Sequence, residues 1–452
     1  DGNNSISVGL STSAIGNGSV AMGLNSTATG DGSVAMGGGA QTIGSRSVAM
    51  GGNAFASGAY SISLGLNTSA QGDSSVALGQ GTQATDDNAT AIGLLTTADA
   101  PGAFSLGTQT NALKTNSLAG GDGSLSDGLA AFSFGGQTQA EADFSVAMGI
   151  LTKASGNASV ALGNGTDASG DTSTAMGSQT EASGVSSTAI GNDTRADGDN
   201  STAMGDSSVA SGKTSTAIGF QTEASGDYST AMGENTEASG DRSTAMGWNT
   251  EASGNVSTSM GYGTEASGVS STAMGQNTEA SGSYSTTMGF QTEASGDGSV
   301  AMGANTTASG NYSTALNNTT EASGSASFAS GLATEASGQS STAMGSQTTA
   351  SGNQSTAIGN QSTASGVDSS SFGKGNISSG LRSVTIGSSQ EASAQDSISI
   401  GGQPNTASGI QSVSIGTGIS GTAITIGHGT SETTIGDNLV VTGNLTVQMY
   451  KL

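Results

Sequence analysis

Apolar and polar residues alternate in short pentads, and the pentads recur along the chain at a fixed interval. From SVAMG at Ser19 the pattern returns every 14 residues to Ser397 and runs back to Ser5, which gives 29 coils without an insertion or deletion. The fourth pentad residue is apolar in 27 of these coils, the exceptions being Gly120 and Ser330, and the fifth is Gly in 28, the exception being Asn317. Such a repeat is typical of a solenoid, in which each repeat packs only against its neighbours.

Each repeat predicts two short strands. Alternation inside STAMG and TEASG has period two, which indicates β-structure. In STAMG the Thr or Val shares a face with Met, opposite Ser, Ala and Gly, whereas in TEASG Thr and Ala lie opposite Glu and Ser. Gly, Asn and Asp between these segments tolerate the positive φ of tight turns. We therefore predict an all-β fold, a parallel β-roll or β-solenoid of about 30 stacked coils, with neighbouring strands about 4.8 Å apart.

Thirteen of the 14 methionines occupy the fourth pentad position. We expect them to form a structural core column inside the roll, with the flat Ser/Ala/Gly face free for close approach of another chain. The residues that define this column are Met176, Met204, Met232, Met246, Met260, Met274, Met288 and Met302.

The energetics of a single coil favour an oligomer. Burying a large apolar side chain contributes about 1.5–3 kcal/mol. Ordering the backbone of one repeat costs on the order of 14–28 kcal/mol. Hydrogen bonds to the neighbouring coils offset only part of this cost. Because the margin for a lone roll is thin, we expect a second burial surface and hence a homo-oligomer.

The spacing changes near the C-terminus, where SVSIG starts at Ser412, one residue late, and Pro404 lies in the longer coil. We predict a β-roll head or shaft over residues 1–416, and terminal coils with a connector to a neck, stalk or further fibre module over residues 417–452. No run of 18 apolar residues is present, so we expect no membrane contact by this segment.

Composition narrows the classes of function. Only 33% of residues are hydrophobic, Gly occupies 75 positions and Pro two, without the three-residue period of collagen. The net charge of −25 argues against a nucleic-acid partner. The chain has no Cys, and its one histidine, His428, has no Cys partners for a zinc site and no obvious triad. We therefore expect no enzyme activity and no catalytic, cofactor-binding or metal-binding residues.

Three pentads, each quoted with the residue before it, carry a family resemblance: GSVAMG at 18–23, SSVALG at 74–79 and ASVALG at 158–163, each followed by a turn and an A-S-G segment. They resemble the YadA-like head repeat of trimeric autotransporter adhesins, and the resemblance covers about 90% of the chain. It implies a left-handed parallel β-roll, a side-by-side homotrimer and display on a surface fibre that binds host or matrix molecules. The segment DNLVVTGNLTVQ (437–448) resembles linker modules of bacteriophage tail fibres.

Glutamate recurs at one coil position and forms a run in six consecutive coils, which we call the acidic stripe: Glu223, Glu237, Glu251, Glu265, Glu279 and Glu293. One interpretation is a stripe that gathers cations. The other, which we favour, is a solvated face that keeps the roll soluble and discourages lateral association. Asn or Gln two residues earlier, as at Asn235 and Asn249, indicates an amide ladder between stacked coils.

Aromatic residues concentrate at the two turns that flank the first strand. Trp248, Tyr262, Phe290 and Tyr284 are candidate contacts for a protein or glycan ligand, the alternative being packing on adjacent coils or subunits. The irregular coils from Ala89 to Ala131 are a further candidate binding region.

Two functions remain open. One is a trimeric extracellular fibre, on a cell or virion surface, that adheres to a host-cell or matrix protein or glycan. The other is a passive spacer or phage tail-fibre shaft that presents a separate binding tip.

Overall fold

A computed structural model describes residues 2–416, and the regular structure of these residues is entirely β. The chain divides into two compact units, Asp1–Ala322 and Ser323–Leu452. Strands β1–β46 belong to the first unit and β47–β59 to the second. No helix among the described residues is long and apolar enough to cross a membrane.

Every coil contributes one long and one short strand. The long, odd-numbered strands begin with β1 (Ile6–Leu10), β3 (Val20–Leu24), β5 (Val34–Met36), β7 (Val48–Met50) and β9 (Ile62–Leu66). From β9 each long strand has five residues and starts 14 residues after the previous one, as far as β55 (Val384–Ser388). The short strands have two residues and recur at the same interval from β2 (Ser13–Ala14) to β54 (Ile377–Ser378). The last four strands are β56 (Gln390–Ala392), β57 (Ile398–Gly401), β58 (Asn405–Ala407) and β59 (Val413–Gly416).

Strands of successive coils pair in parallel and in register. In the first unit Met232 is the partner of Met246, and Met246 of Met260. In the second unit Thr342 pairs with Thr356 in the same way. The longer coil predicted near Pro404 is also present, since Ile398 pairs with Val413, 15 residues away. The predicted parallel β-solenoid of 14-residue coils is therefore confirmed.

Each coil turns at two residues of positive φ, one on either side of the long strand. Tyr228 has φ 60° before β33 (Thr230–Glu234), and Asn235 has φ 53° after it. The pentad glycine lies in another region that side chains rarely adopt, with φ 132° at Gly247, where a Cβ would lie 2.0 Å from the carbonyl oxygen of Gly261. Close stacking on the next coil therefore favours Gly at this position, and the one non-glycine there, Asn317, has a different φ of 87°.

The interior of the roll is lined by small residues. In the coil that begins at Ser243, both Ala245 and Ala252 are fully buried and Thr250 is 2% exposed. Where the third pentad residue is Ser instead of Ala, it bonds across the interior, as Ser259 Oγ does to Thr264 Oγ1 at 2.7 Å. Backbone bonds between coils, such as Thr244 N–H donating to Ser257 O at 2.9 Å, complete the stack.

The methionines are aligned but do not line the interior, so the prediction of an internal methionine column was wrong. Met176 is 36% exposed and Met288 39% exposed, on the outer face of the long strands. The same outer face carries the rest of the predicted column, each residue half-buried in the single chain: Met204, Met232, Met246, Met260, Met274 and Met302. The space between the two strands of a coil is filled mainly by Ser, Ala and Thr, and the longest side chains buried there among the described residues are Asn376 and Gln390.

The same finding corrects the prediction that the Ser/Ala/Gly face is free for another chain. Ser243 and Ala245 face the inside of the roll and are at most 1% exposed. The face that a single chain leaves accessible is instead the one with Thr or Val and Met. The sequence predicted correctly which residues of the long strand share a face, but not which of the two faces points inward.

Candidate functional site on coils 220–293

The acidic stripe lies on the short strands, which stack its glutamates directly above one another. Glu223 pairs in register with Glu237, and Glu237 with Glu251. The pairing continues through Glu265 and Glu279 to Glu293. The buried neighbour of each glutamate, such as Ala238, faces the interior. The carboxylates therefore form one continuous exposed column on the short strands.

Crowding of like charges changes the acidity of this column. The pKa of Glu237 is raised above its ordinary value, first by partial burial and then by repulsion from Glu251 and Glu223. Glu265 has a raised pKa for the same reasons, with Glu251 and Glu279 as its neighbours. A hydrogen bond from the serine two residues on, Ser239 or Ser267, opposes the rise. Each of these two glutamates therefore holds a proton at higher pH than an isolated one.

A shallow groove of about 200 Å³ runs beside the stripe, between the glutamates and the preceding turn. Its amide side contains the predicted ladder, with Asn235 Nδ2 donating to Asn249 Oδ1 at 2.6 Å. Both asparagines have positive φ, 53° and 51°, which a short amide side chain tolerates. The residues that line the groove are Gln221, Glu223, Asn235, Thr236, Glu237, Asn249, Thr250 and Glu251.

Two further grooves occur at the same position in earlier coils. There the carboxylates form ion pairs with basic side chains. Arg195 Nε lies 2.8 Å from Asp197 and 3.6 Å from Glu181. Lys153 Nζ lies 3.2 Å from Glu141. The pKa of Asp167, beside Lys153, is raised chiefly by burial. The groove is therefore zwitterionic over these coils, whereas the groove from Glu223 to Glu251 has only acidic charged residues in its lining.

The aromatic candidates are only partly brought together. Trp248 and Tyr262 stack with ring centroids 4.4 Å apart and an interplanar angle of 15°, and they remain 41% and 47% exposed. Phe290 occupies the same coil position two coils further on, with Gln276 between it and Tyr262. Tyr284 lies on the other turn and is 68% exposed. Trp248 and Tyr262 thus pack on each other across adjacent coils and both remain partly exposed.

Sequence reasoning missed an apolar cluster in the irregular coils between Ala89 and Ala131 and the coil that follows. The ring of Phe134 lies over Gly120 of the preceding coil, and its centroid is 6.4 Å from that of Phe132. The signal was present in the sequence, because the one glycine in the fourth pentad position is followed 14 residues later by a phenylalanine.

Other expected sites are outside the described residues. His428, the phage-like segment 437–448 and the predicted connector 417–452 all follow the last described strand. Within residues 2–416 no group of three or more His, Cys, Asp or Glu residues is arranged to hold a metal ion.

Comparison with known families gives matches to the YadA head domain repeat over more than half of the chain. No curated protein matches the chain. The unmatched stretch 96–126 falls in the irregular coils before Phe134. The matched segments are residues 1–26, 14–40, 43–68, 70–95, 127–151, 140–166, 154–180, 168–194, 182–208, 196–222, 210–236, 224–250, 238–264, 266–292, 294–316 and 336–362. With its 14-residue parallel coils, the chain belongs to the YadA head family, whose members are structural and adhesive heads exposed at the surface.

Proposed function

We propose that the chain is the head or shaft of a homotrimeric extracellular fibre that adheres to a cell surface or to extracellular matrix. The observation that supports this proposal is the opposite character of the two outer faces of the first unit. The long strands present an apolar column that one chain leaves unburied, whereas the short strands present the acidic stripe.

The apolar column supplies the surface for assembly. Ile218, Met176 and Met288 are 37%, 36% and 39% exposed, and comparable side chains recur in neighbouring coils. Soluble monomers rarely expose continuous apolar patches larger than a few hundred Å². This column continues through successive coils, and a closed symmetric assembly that buries it leaves no apolar face for further association. Family membership favours three chains.

Adhesion is assigned to residues outside that column. Trp and Tyr are enriched among the residues that contribute most to binding at protein interfaces. Trp248 and Tyr262 meet this description, since both are anchored by mutual stacking and both remain accessible. Phe290 and Tyr284 extend the candidate contacts to the coils that follow.

A second function, a passive spacer or phage tail-fibre shaft that presents a separate tip, is favoured by a different observation. The coils from Glu223 to Glu293 repeat the same register and the same acid without interruption. Uniform like charge limits lateral association of neighbouring fibres, as a spacer requires.

The test is a mass measurement by light scattering, followed by binding to arrays of glycans and matrix proteins. We expect the mass of three chains, and binding that is lost in the double variant Trp248→Ala/Tyr262→Ala. Tyr312→Ala is the matched control, because Tyr312 is 72% exposed but lies on the opposite turn. A measured mass of one chain would refute the trimer. Absence of binding by the wild-type protein would refute adhesion and leave the spacer as the function.

A further inference from the structure

Glu234 lies beside Trp248 in the stack of coils, one coil before it. Both residues occupy the last position of a long strand, after the pentad glycine, and they are register partners. Trp248 stacks on Tyr262 of the following coil, with ring centroids 4.4 Å apart, close to the separation of about 4.8 Å between neighbouring strands. The two rings are therefore stacked along the column, and the other face of Trp248 is turned towards the coil of Glu234.

The carboxylate of Glu234 is not neutralised by the chain itself. Glu234 is exposed, and no ion pair among residues 2–416 includes it. The nearest basic residue along the chain, Arg242, lies on the opposite turn, where its guanidinium is 5.9 Å from the ring centroid of Tyr228. The next basic residue after Arg242 is Lys374. An exposed indole and an uncompensated carboxylate are thus neighbours on one surface.

The opposite turn shows what the spacing of coils allows beside an aromatic ring. The guanidinium of Arg46 lies 5.5 Å from the ring centroid of Tyr60 in the next coil, and its Nη1 donates to the tyrosine hydroxyl at 2.7 Å. Arg242 and Tyr228 repeat this contact one coil apart. Cation–π attraction acts within about 6 Å of a ring centroid. Beside Trp248 the adjacent coil contributes Glu234 instead, so a guanidinium at this place has to come from another molecule.

We propose that Trp248 and Glu234 bind the guanidinium of an arginine in a basic segment of a partner protein. The planar guanidinium stacks on the indole and donates hydrogen bonds to the Glu234 carboxylate, a combination that the ammonium of lysine does not reproduce. Glu237 and Glu251, three residues further on in the same two coils, line the acidic groove and attract the other cationic side chains of the segment. This inference rests on the proposed adhesion and names the chemistry of its partner.

The experiment titrates the full chain with a synthetic peptide of alternating Arg and Gly and follows the fluorescence of Trp248, the one tryptophan. Two further peptides replace Arg by Lys, which keeps the charge, or by citrulline, which keeps a planar group without the charge. We expect saturable binding of the Arg peptide, weaker binding of the Lys peptide and none of the citrulline peptide. Glu234→Gln should weaken binding of the Arg peptide about fivefold, the effect of one exposed charged pair.

The matched control is Glu321→Gln, which removes the same charge from a glutamate whose register partner is Thr307. We expect this control to bind the Arg peptide as the wild type does, with circular dichroism to verify that both variants are folded. The proposal is overturned if the Arg peptide shows no saturable binding, if the Lys peptide binds as tightly, or if Glu234→Gln loses no more affinity than the control. Adhesion fails separately, when the wild-type protein binds nothing on the glycan and matrix arrays.

Discussion

The ring of Phe134 covers Gly120 so closely that a Cβ on residue 120 would lie 2.4 Å from ring atom Cδ2. In the other coils this position carries an apolar side chain of its own, apart from Ser330. The missing side chain of one coil is thus replaced by a larger one from the next, and the outer face remains covered.

We expect Gly120→Met to force the Phe134 ring outward and to lower stability by about 1 kcal/mol, the lower end of the cost of overpacking, because the ring is already partly exposed. Urea unfolding followed by circular dichroism measures the change. The double variant Gly120→Met/Phe134→Met restores the usual pair of methionines and should recover the loss. Equal stability of the single variant and the wild type would show that the ring does not depend on Gly120.

Substitution of a pentad glycine is predicted to lower stability more strongly. Gly247→Ala should cost about 3 kcal/mol or more, because its φ of 132° disfavours a side chain and the new Cβ would meet the carbonyl oxygen of Gly261. Gly165→Asn is the control, since its φ of 65° suits Asn and the nearest atom to a Cβ is 3.9 Å away. Thermal unfolding compares the two variants. A tolerated Gly247→Ala would contradict the close stacking of coils.

The assignment of the inner and outer faces is tested by neighbouring residues in one strand. Ala245→Met places a long side chain in an interior that is filled by small residues, and it should cost at least about 1–3 kcal/mol. Met246→Ala alters only the outer face, and it should leave the fold of the chain intact while weakening assembly. Circular dichroism reports the first effect and light scattering the second. If Met246→Ala destabilised the fold more than Ala245→Met does, the methionines would have to lie in the interior.

The acidic stripe should make stability depend on pH. Glu237 and Glu265 bind a proton more tightly in the folded chain than in the unfolded chain, because their pKa values are raised. Their ionisation therefore disfavours folding, and this penalty is relieved as pH falls through the raised folded pKa towards the unfolded value of about 4.3. We expect the melting temperature to rise over that interval.

Glu237→Gln/Glu265→Gln should raise the melting temperature at neutral pH and flatten its dependence on pH. Thr97→Gln, at the same coil position between Gln83 and Asn111, provides the control and should change neither quantity. A double variant with the same pH profile as the wild type would mean that repulsion along the stripe has no influence on stability.

Much of the fold was predictable from the sequence, because residues of similar character recur at the same coil positions every 14 residues. The strands, the turns and the register of Glu223 on Glu237 follow from that interval alone. Which face is inside does not follow from it, because alternation defines two faces without ranking them. The small volume of Ser243 and Ala245 beside Met246 was the better guide, since two strands joined by tight turns enclose little space.

The sequence predicted which residues of the candidate site stack in one column, but not which side chains contact each other. Stacking of Trp248 on Tyr262 follows from their separation by one coil. The division of the groove into a zwitterionic part and an acidic part depends on where single residues such as Arg195 find partners, and those distances are set by side-chain conformation.

Strict in-register pairing has a consequence for how such a chain changes length. Excision of residues 243–256 would bring Thr258 onto Thr230 with every column still continuous, since both are already partners of Thr244. Loss of one residue fewer would instead turn outward-facing side chains inward through the rest of the strand. Fibres of many lengths are thus reachable through gain or loss of whole coils, each step leaving the surface chemistry of the remaining coils as it was.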